Sequence, residues 1–297
     1  MKLLFIVNPI SGGVNKEPFL EKAEKLCHHY GISYFIFKTS GKSDKIKVLE
    51  HIDSFKPDKI VSVGGDGTTL FTATTLLNSH IPMGIIPLGS ANGMAAELMV
   101  NLKPIEALKD IIMSDMVKGL DLLLVNNEHY GIHIGDFGLN ASIVEAYEKD
   151  EKRGMATYAK YFIEELKKLK PFEVTIVANG EKVKSNVLMT AICNARKYGT
   201  GIPLNNISNP MDGKFEIVLT EQIDMASLIK AGLSKFDDKY IDNQSSRVIS
   251  TSKAEIIFDQ PRLLQLDGEV IESYKNIKID IIKSAVNFIT NSNNPYV

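Results

Sequence analysis

IVSVGGDGTTLFTATTLLNSHIPMGIIPLGSANGMA, residues Ile60 to Ala95, contains the same pattern twice. Two short apolar runs, Ile60 to Val63 and Met83 to Ile86, each end in a turn of small residues, and a helix-compatible segment follows each turn. Continuous apolar runs bounded by glycine read as strands buried in a parallel sheet, and ligands of open α/β sheets bind beyond the carboxyl ends of such strands. The loops Gly64-Gly65-Asp66-Gly67-Thr68 and Leu88-Gly89-Ser90-Ala91-Asn92-Gly93 are therefore expected to face one crevice. Glycine lets the backbone approach a phosphate closely, and the N–H groups that open each helix supply donors and a favourable dipole. The implied ligand is a nucleotide polyphosphate. Asp66 would be repelled by bare phosphate but suits a site where Mg²⁺ stands between protein and phosphate. Either loop alone could be a tight Asx-type turn with no ligand; two on adjacent strands favour binding.

Working outward, 297 residues suit two domains or one large one, and 44% hydrophobic with 24% charged residues is ordinary for a globular protein. A formal net charge of −2 argues against general nucleic-acid binding, which wants a basic excess or a basic face. Cys27 and Cys193 lie far apart with no metal-ligand spacing, so they read as small buried hydrophobes. The apolar run Leu3 to Val7 is shorter than a signal-peptide core, and no segment approaches the ~20 apolar residues of a membrane helix. The expectation is a cytoplasmic enzyme, with a homodimer left open.

Upstream of the central stretch, Leu3 to Val7 forms a strand that ends at Asn8-Pro9-Ile10-Ser11-Gly12-Gly13, and Pro18 marks the start of a helix over Phe19 to Tyr30. Ile32 to Lys38 has strand composition. The loop Thr39 to Asp44 then opens a helix near Lys45, with Ser43 or Asp44 as its expected N-cap. This βαβαβ start argues for a parallel sheet with right-handed crossovers. Downstream, Pro104 to Met113 carries Ile105, Leu108, Ile111 and Ile112 at helical spacing and reads as a packing helix.

From about Gly119 the character changes. Leu120 to Val125, Tyr130 to Ile134, Phe172 to Ala178, Val183 to Cys193 and Phe215 to Thr220 are strand-like, with Asn179-Gly180 as a hairpin signal. A helical interruption spans Asn140 to Leu169; it includes the charged segment Glu145 to Arg153 and places Tyr158, Tyr161, Phe162 and Leu166 on one side, a packing stripe. Leu263 to Leu266 and Val270 to Tyr274 flank Asp267-Gly268, and Ile277 to Ile289 continues as strands. The expected fold is α/β: an N-terminal doubly wound nucleotide-binding domain over 1–118, with 284–297 as a candidate to rejoin it, and a mainly antiparallel β-sandwich over 119–283.

GGDGT followed by PLGSAN resembles the catalytic domain shared by diacylglycerol kinases, sphingosine kinases and the bacterial lipid kinases; GGDGT alone also resembles the NAD kinases. Asn8, Pro9, Ser11 and Gly12 match the family's NPxSG loop, which helps hold ATP, and Thr39 and Asp44 stand where a threonine meets the nucleotide and an aspartate joins the polar network near the metal. The resemblance thus implies an ATP site of Asn8, Pro9, Ser11, Gly12, Thr39, Gly64, Gly65, Asp66, Gly67, Thr68, Gly89, Ser90 and Asn92. It implies a structural Mg²⁺ held by the Asp212 carboxylate and the main-chain oxygens of Asn209 and Lys214, a set of hard oxygens that suits this ion. It also implies a DGE motif, Asp267-Gly268-Glu269, with Glu269 as proton acceptor and Asp267 as its partner; read from the residues alone, Asp212-Gly213 and Asp267-Gly268 are hairpin turns. The expected substrate is a lipid alcohol met at the inner face of the membrane by peripheral contact.

Three segments depart from the family pattern. Leu70 and Phe71 follow GGDGTT where many members carry an acid, and Gly93 stands where bacterial diacylglycerol kinases carry aspartate. Gly135-Asp136-Phe137-Gly138-Leu139-Asn140-Ala141 fits the GFGxDA segment with Asn140 in place of the acid. The expected activity is γ-phosphoryl transfer from Mg-ATP to a lipid hydroxyl in an interdomain cleft, with Asp66 setting the metal. Two alternatives stay open: an NAD kinase-like enzyme, and a nucleotide-binding regulatory protein without catalysis.

Overall fold

Strands that are apolar almost throughout must be covered on both faces, and Leu3–Val7, Ile60–Val63 and Met83–Ile86 are buried at every residue. The computed structural model describes residues 1–137, 170–198, 201, 203–222 and 246–297. Contacts divide the chain into two units, Met1–Asp121 with Lys283–Val297, and Leu122–Ile282.

In the first unit β1 (Lys2–Val7), α1 (Glu17–His29), β2 (Ser33–Lys38), α2 (Asp44–Phe55), β3 (Lys59–Gly64), α3 (Asp66–Thr75), β4 (Met83–Pro87), α4 (Gly93–Glu97) and α5 (Pro104–Met113) follow one another, and β5 (Val117–Val125) leaves it. β1 pairs in parallel with β2 and β3, and β3 with β4, in the order β2-β1-β3-β4. The two halves of the central stretch are thus neighbouring strands, with Ile60 opposite Met83 and Gly64 opposite Pro87. Apolar side chains of β1, β3 and β4 pack against Phe19, Leu20 and Ala23 of α1 and Ala107, Leu108 and Ile111 of α5. The helical spacing read over Pro104 to Met113 is the helix observed.

Two polar devices tie helix ends to this sheet. The Lys59 ammonium donates to the carbonyls of Ile111 (2.9 Å), Ile112 (3.4 Å) and Ser114 (2.8 Å), placing a cation on the unsatisfied C-terminus of α5. At the start of α2 the expected cap is corrected. Ser43 sits in the N-cap position with a left-handed backbone (φ 54°), and no side chain caps the helix. The Asp44 carboxylate instead turns back to accept from Ser40 N (2.9 Å), Gly41 N (2.6 Å) and Ser40 Oγ (2.9 Å). Burial alone would raise its pKa, but these bonds and the Lys47 charge outweigh burial and hold the carboxyl below its ordinary value.

The second unit is antiparallel. After β6 (His129–Gly131) come β7 (Ile134–Phe137), β8 (Phe172–Ala178), β9 (Glu181–Val187), β10 (Met189–Cys193), β11 (Phe215–Thr220), β12 (Ser246–Thr251), β13 (Lys253–Leu266) and β14 (Glu269–Ile289). The pairing order is β12-β11-β10-β7-β13, and β13 also pairs with β8 and with the first part of β14. Phe137, Phe172, Phe215 and Phe258 meet in its core, the Phe137 and Phe258 rings 4.8 Å apart. An α/β domain followed by a β-rich one is the fold class expected from the sequence.

Both two-residue hairpins have positive φ at both central positions, Asn179 (55°) with Gly180 (78°) and Asp267 (52°) with Gly268 (91°), the type I′ geometry that matches strand twist. The run Val183 to Cys193, expected as one strand, is two. β9 pairs with β8, β10 lies between β7 and β11, and Leu188 N donates to Thr220 O at the break. The strand runs Val270 to Tyr274 and Ile277 to Ile289 are one continuous strand, β14. The expected helices over Asn140 to Leu169, with Glu145 to Arg153, Tyr158, Tyr161, Phe162 and Leu166, and the segment Gly138 to Ala141 lie outside the described residues. Among the described residues no helix is long and apolar enough to cross a membrane.

Replacing Lys59 with Met should keep the stem and lose three bonds to carbonyls, lowering unfolding free energy by about 1–3 kcal/mol in urea titration. Asp44→Asn should show a pH signature. A carboxyl depressed in the folded state stabilises fully above its unfolded value of 3.8 and loses that contribution as pH falls through the lower folded value. The stability gap between wild type and Asp44→Asn should therefore be constant at neutral pH and shrink below about pH 4 in acid unfolding.

Candidate functional site

Three loops leave the carboxyl ends of β1, β3 and β4 and meet backbone to backbone. A methyl group on Gly12 would stand 2.7 Å from the Gly89 carbonyl carbon; one on Gly89 would stand 2.2 Å from the Cα of Gly65. Real Cβ contacts are not that short, so only glycine fits at these points. The strand ends are locked to each other by Asn8 N donating to Val63 O (3.1 Å), Leu88 N to Gly64 O (2.9 Å) and Thr39 N to Val7 O (2.8 Å). Ser11 Oγ is within hydrogen-bond reach of the carbonyls of Asn8 (3.2 Å) and Leu88 (3.4 Å), joining the first loop to the third.

The side chains expected to touch nucleotide first of all hold these loops. Asn92, in a left-handed conformation (φ 54°), accepts from Gly89 N at Oδ1 (2.8 Å) and donates from Nδ2 to Gly89 O (3.0 Å), closing the third loop on itself. Asp66 reaches across from the second loop, its oxygens accepting from Gly93 N (2.8 Å) and Met94 N (2.9 Å) at the start of α4. The glycine that departs from the family's acid is thus where an Asp66 oxygen docks.

Helix α3 opens at Gly65 with no side chain capping it, so its first-turn N–H groups and the positive end of its dipole face outward from the point where the loops converge. Inside the same turn Thr68 Oγ1 is buried with no hydrogen-bond partner among the described atoms. Beneath the first loop lies Lys16, 3% exposed, its ammonium donating to Ser11 O (2.5 Å) and Val14 O (2.8 Å). Burial pushes its pKa down. Sequence reading passed over this lysine, although a cation just ahead of the Glu17-Pro18 helix start was the available signal. A cradle without side chains, an uncapped helix, an orphan hydroxyl and a buried cation fit a polyphosphate.

The remaining candidates lie in the second unit. Glu269 opens β14 opposite Leu266 and is exposed. Asp267, expected to work beside it, is held by backbone: its Oδ2 accepts from Ile132 N (2.6 Å) and its Oδ1 from His133 N (2.9 Å) and Ile134 N (3.1 Å), while its own N–H donates to Ile134 O (2.9 Å). Those bonds fix the turn that presents Glu269. At the other turn Asp212 Oδ1 accepts from Lys214 N (2.9 Å) and Asn209 Oδ1 from Met211 N (2.9 Å), two Asx turns in succession. Among the described residues no group of three or more His, Cys, Asp or Glu side chains could hold a metal. A cation at Asn209–Lys214 would therefore depend on the Asp212 carboxylate together with main-chain carbonyls, a donor set of hard oxygens that fits Mg²⁺.

Comparison with known proteins bears on this arrangement. Residues 2–125 match the family described as the diacylglycerol kinase catalytic domain, and residues 135–289, over half of the chain, match the YegS C-terminal NAD kinase beta sandwich-like domain. The chain is 22% identical over 268 residues to a diacylglycerol kinase of Bacillus subtilis, covering 89% of this chain and 88% of the relative. In fold it is similar to a crystal structure of a diacylglycerol kinase from Bacillus anthracis (TM-score 0.72, 20% identity, 99% and 98% of the two chains). It is also similar to an NAD kinase from Archaeoglobus fulgidus solved in complex with ATP (TM-score 0.58, 14% identity, 99% and 95%). With both domain matches in sequence order and glycine loops shaped for a nucleotide, the chain belongs to the diacylglycerol kinase and YegS-like family of bacterial lipid kinases, enzymes that transfer phosphate from ATP to a lipid alcohol.

Proposed function

We propose that this kinase binds Mg-ATP with its phosphates against the Gly12, Gly65 and Gly89 backbones and the N-terminus of α3, and that Glu269 accepts the proton of the lipid hydroxyl. The observation that carries the nucleotide half is the side-chain-free contact of three loops around an uncapped helix start. Phosphoryl transfer asks a protein mainly for positioning and charge stabilisation, and preorganised backbone N–H groups supply both without reorganisation. Thr68 Oγ1 is available as one further donor, and Lys16 adds positive potential from beneath the first loop.

In this reading the lipid oxygen forms its bond to the γ-phosphorus as the bond from that phosphorus to the β–γ bridging oxygen breaks. The hydroxyl proton passes to the Glu269 carboxylate and ADP departs. Asp267 is a positioning residue, its oxygens engaged with three N–H groups so that Glu269 is presented from a rigid I′ turn. Asp66 joins the second and third loops, and each of its oxygens keeps acceptor capacity beyond one N–H; it is the carboxylate in these loops that would meet the nucleotide's Mg²⁺. A second Mg²⁺ would be structural, held by Asp212 and the carbonyls of Asn209 and Lys214. Bound Mg²⁺ neutralises charge on the transferring phosphate. The lipid acceptor implies work at the membrane surface by peripheral contact, on the cytoplasmic face.

The direct test is transfer of label from γ-labelled ATP with Mg²⁺ to a panel of lipid alcohols in mixed micelles, diacylglycerol and a sphingoid base included, with NAD as a separate acceptor. A labelled lipid supports the proposal and names the substrate class; labelled NADP alone overturns it. Glu269→Gln should cut turnover by at least about 10²-fold, in keeping with loss of a general base, while calorimetric ATP affinity stays within about twofold. Equal loss of both would remove Glu269 from the proton-acceptor role. Gly89→Ala must push the third loop off Gly65 and should weaken ATP binding by more than about tenfold with the fold retained by circular dichroism.

A further inference from the structure

The segment that follows the second matched region bonds at the end of α4, the short helix that follows the third glycine loop. Residues 290–297 lie beyond both matched regions, the second of which ends at 289. They are ordered by their own bonds. Thr290 N donates to Met116 O (3.0 Å), Ser114 Oγ to Thr290 O (2.7 Å), Asn294 Nδ2 to Thr290 Oγ1 (2.8 Å) and Tyr296 N to Asn294 Oδ1 (3.0 Å). Thr290 and Asn294 are buried. From this base the segment touches the end of α4 at two points: Asn291 Nδ2 donates to Met99 O (3.4 Å), and the Tyr296 hydroxyl donates to Glu97 Oε1.

Glu97 is the last residue of α4 and is 5% exposed, an uncommon place for a carboxylate. A buried carboxylate needs donors, and the Tyr296 hydroxyl is one. The other end of this five-residue helix is Gly93-Met94, whose N–H groups are the donors to Asp66. So short a helix has little stability of its own and takes its position from what holds its ends. Asp66 holds one end from the second glycine loop; Tyr296 holds the other.

We propose that Tyr296 is a positioning residue for nucleotide binding: through Glu97 it seats α4, and α4 in turn seats the Gly89–Gly93 loop against Gly12 and Gly65. The inference rests on the assignment of those loops to ATP.

The test is calorimetric titration of the full chain with ATP and Mg²⁺, in wild type, Tyr296→Phe, Glu97→Leu, their double variant and Glu97→Gln, with thermal melts and ATP-dependent kinetics alongside. Tyr296→Phe and Glu97→Leu should each weaken ATP binding about fivefold, and the double variant should be no weaker than the weaker single, the signature of one shared interaction. Glu97→Gln keeps an acceptor oxygen and should stay within about twofold of wild type. The loss should appear in KM for ATP, with kcat at saturating ATP unchanged, a split that general loosening of the fold does not produce. Wild-type affinity in folded Tyr296→Phe, or single effects that multiply in the double variant, overturns the proposal while leaving the ATP site standing. If wild type itself binds no ATP, the site assignment falls and this inference with it. Should Tyr296→Phe fail to fold, the contrast between Glu97→Leu and Glu97→Gln decides alone: equal affinities overturn it.

Discussion

The closeness of Gly12, Gly65 and Gly89 is the constraint on which the first unit's site depends. Main chain so close to main chain leaves no room for a Cβ on Gly12 or Gly89 and little on Gly65. What remains at the surface is peptide N–H and a helix end, groups whose direction the sheet dictates. Asp66 and Ser11 serve that closeness by bonding to the third loop, and Asn92 serves it by closing the third loop on itself. The site is therefore built less from side chains aimed at a ligand than from side chains that hold the backbone in place.

This explains how much of the molecule could be read before the structure was known. The parallel strands and α5 were legible because both leave periodic or continuous apolar signals that no competing structure uses. The Asp-Gly and Asn-Gly hairpins were legible because two consecutive positive φ angles demand those residues. Failures came where a signal was local and the outcome was not. Ser43 looks like an N-cap to its neighbours in sequence, but Asp44 finds a better set of donors four residues back. Leu188 has strand composition, yet the chain changes partners there because β8 and β11 compete for one run. The runs Val270 to Tyr274 and Ile277 to Ile289 were read separately, but they are one strand that continues through the exposed Lys275 and Asn276.

The candidate site shows the same division. That the glycine loops after β3 and β4 stand side by side was legible from the two apolar runs; what their polar side chains bond was not. Asp66 and Asp267 were both expected as chemical actors, and both prove to accept backbone N–H groups from segments far away in sequence. Lys16 and Tyr296 had no motif to announce them. Their partners, the Ser11 carbonyl and the Glu97 carboxylate, are identified only by three-dimensional proximity.

The strand β14 has one more consequence, for the order in which the protein assembles. Its last residues run parallel to β4, with Phe288 beside Met83, and supply part of the core of the first unit through Ile289. That unit is discontinuous in the chain, closed by Lys283–Val297 after the whole second unit has intervened. A polypeptide emerging from the ribosome can pair β1 to β4 early but must leave the outer side of β4 open until the second unit has been made. Such long-range pairing is slow and exposes an apolar edge meanwhile. The first domain to be synthesised is thus the last to be finished, and the second domain folds as an insertion within it.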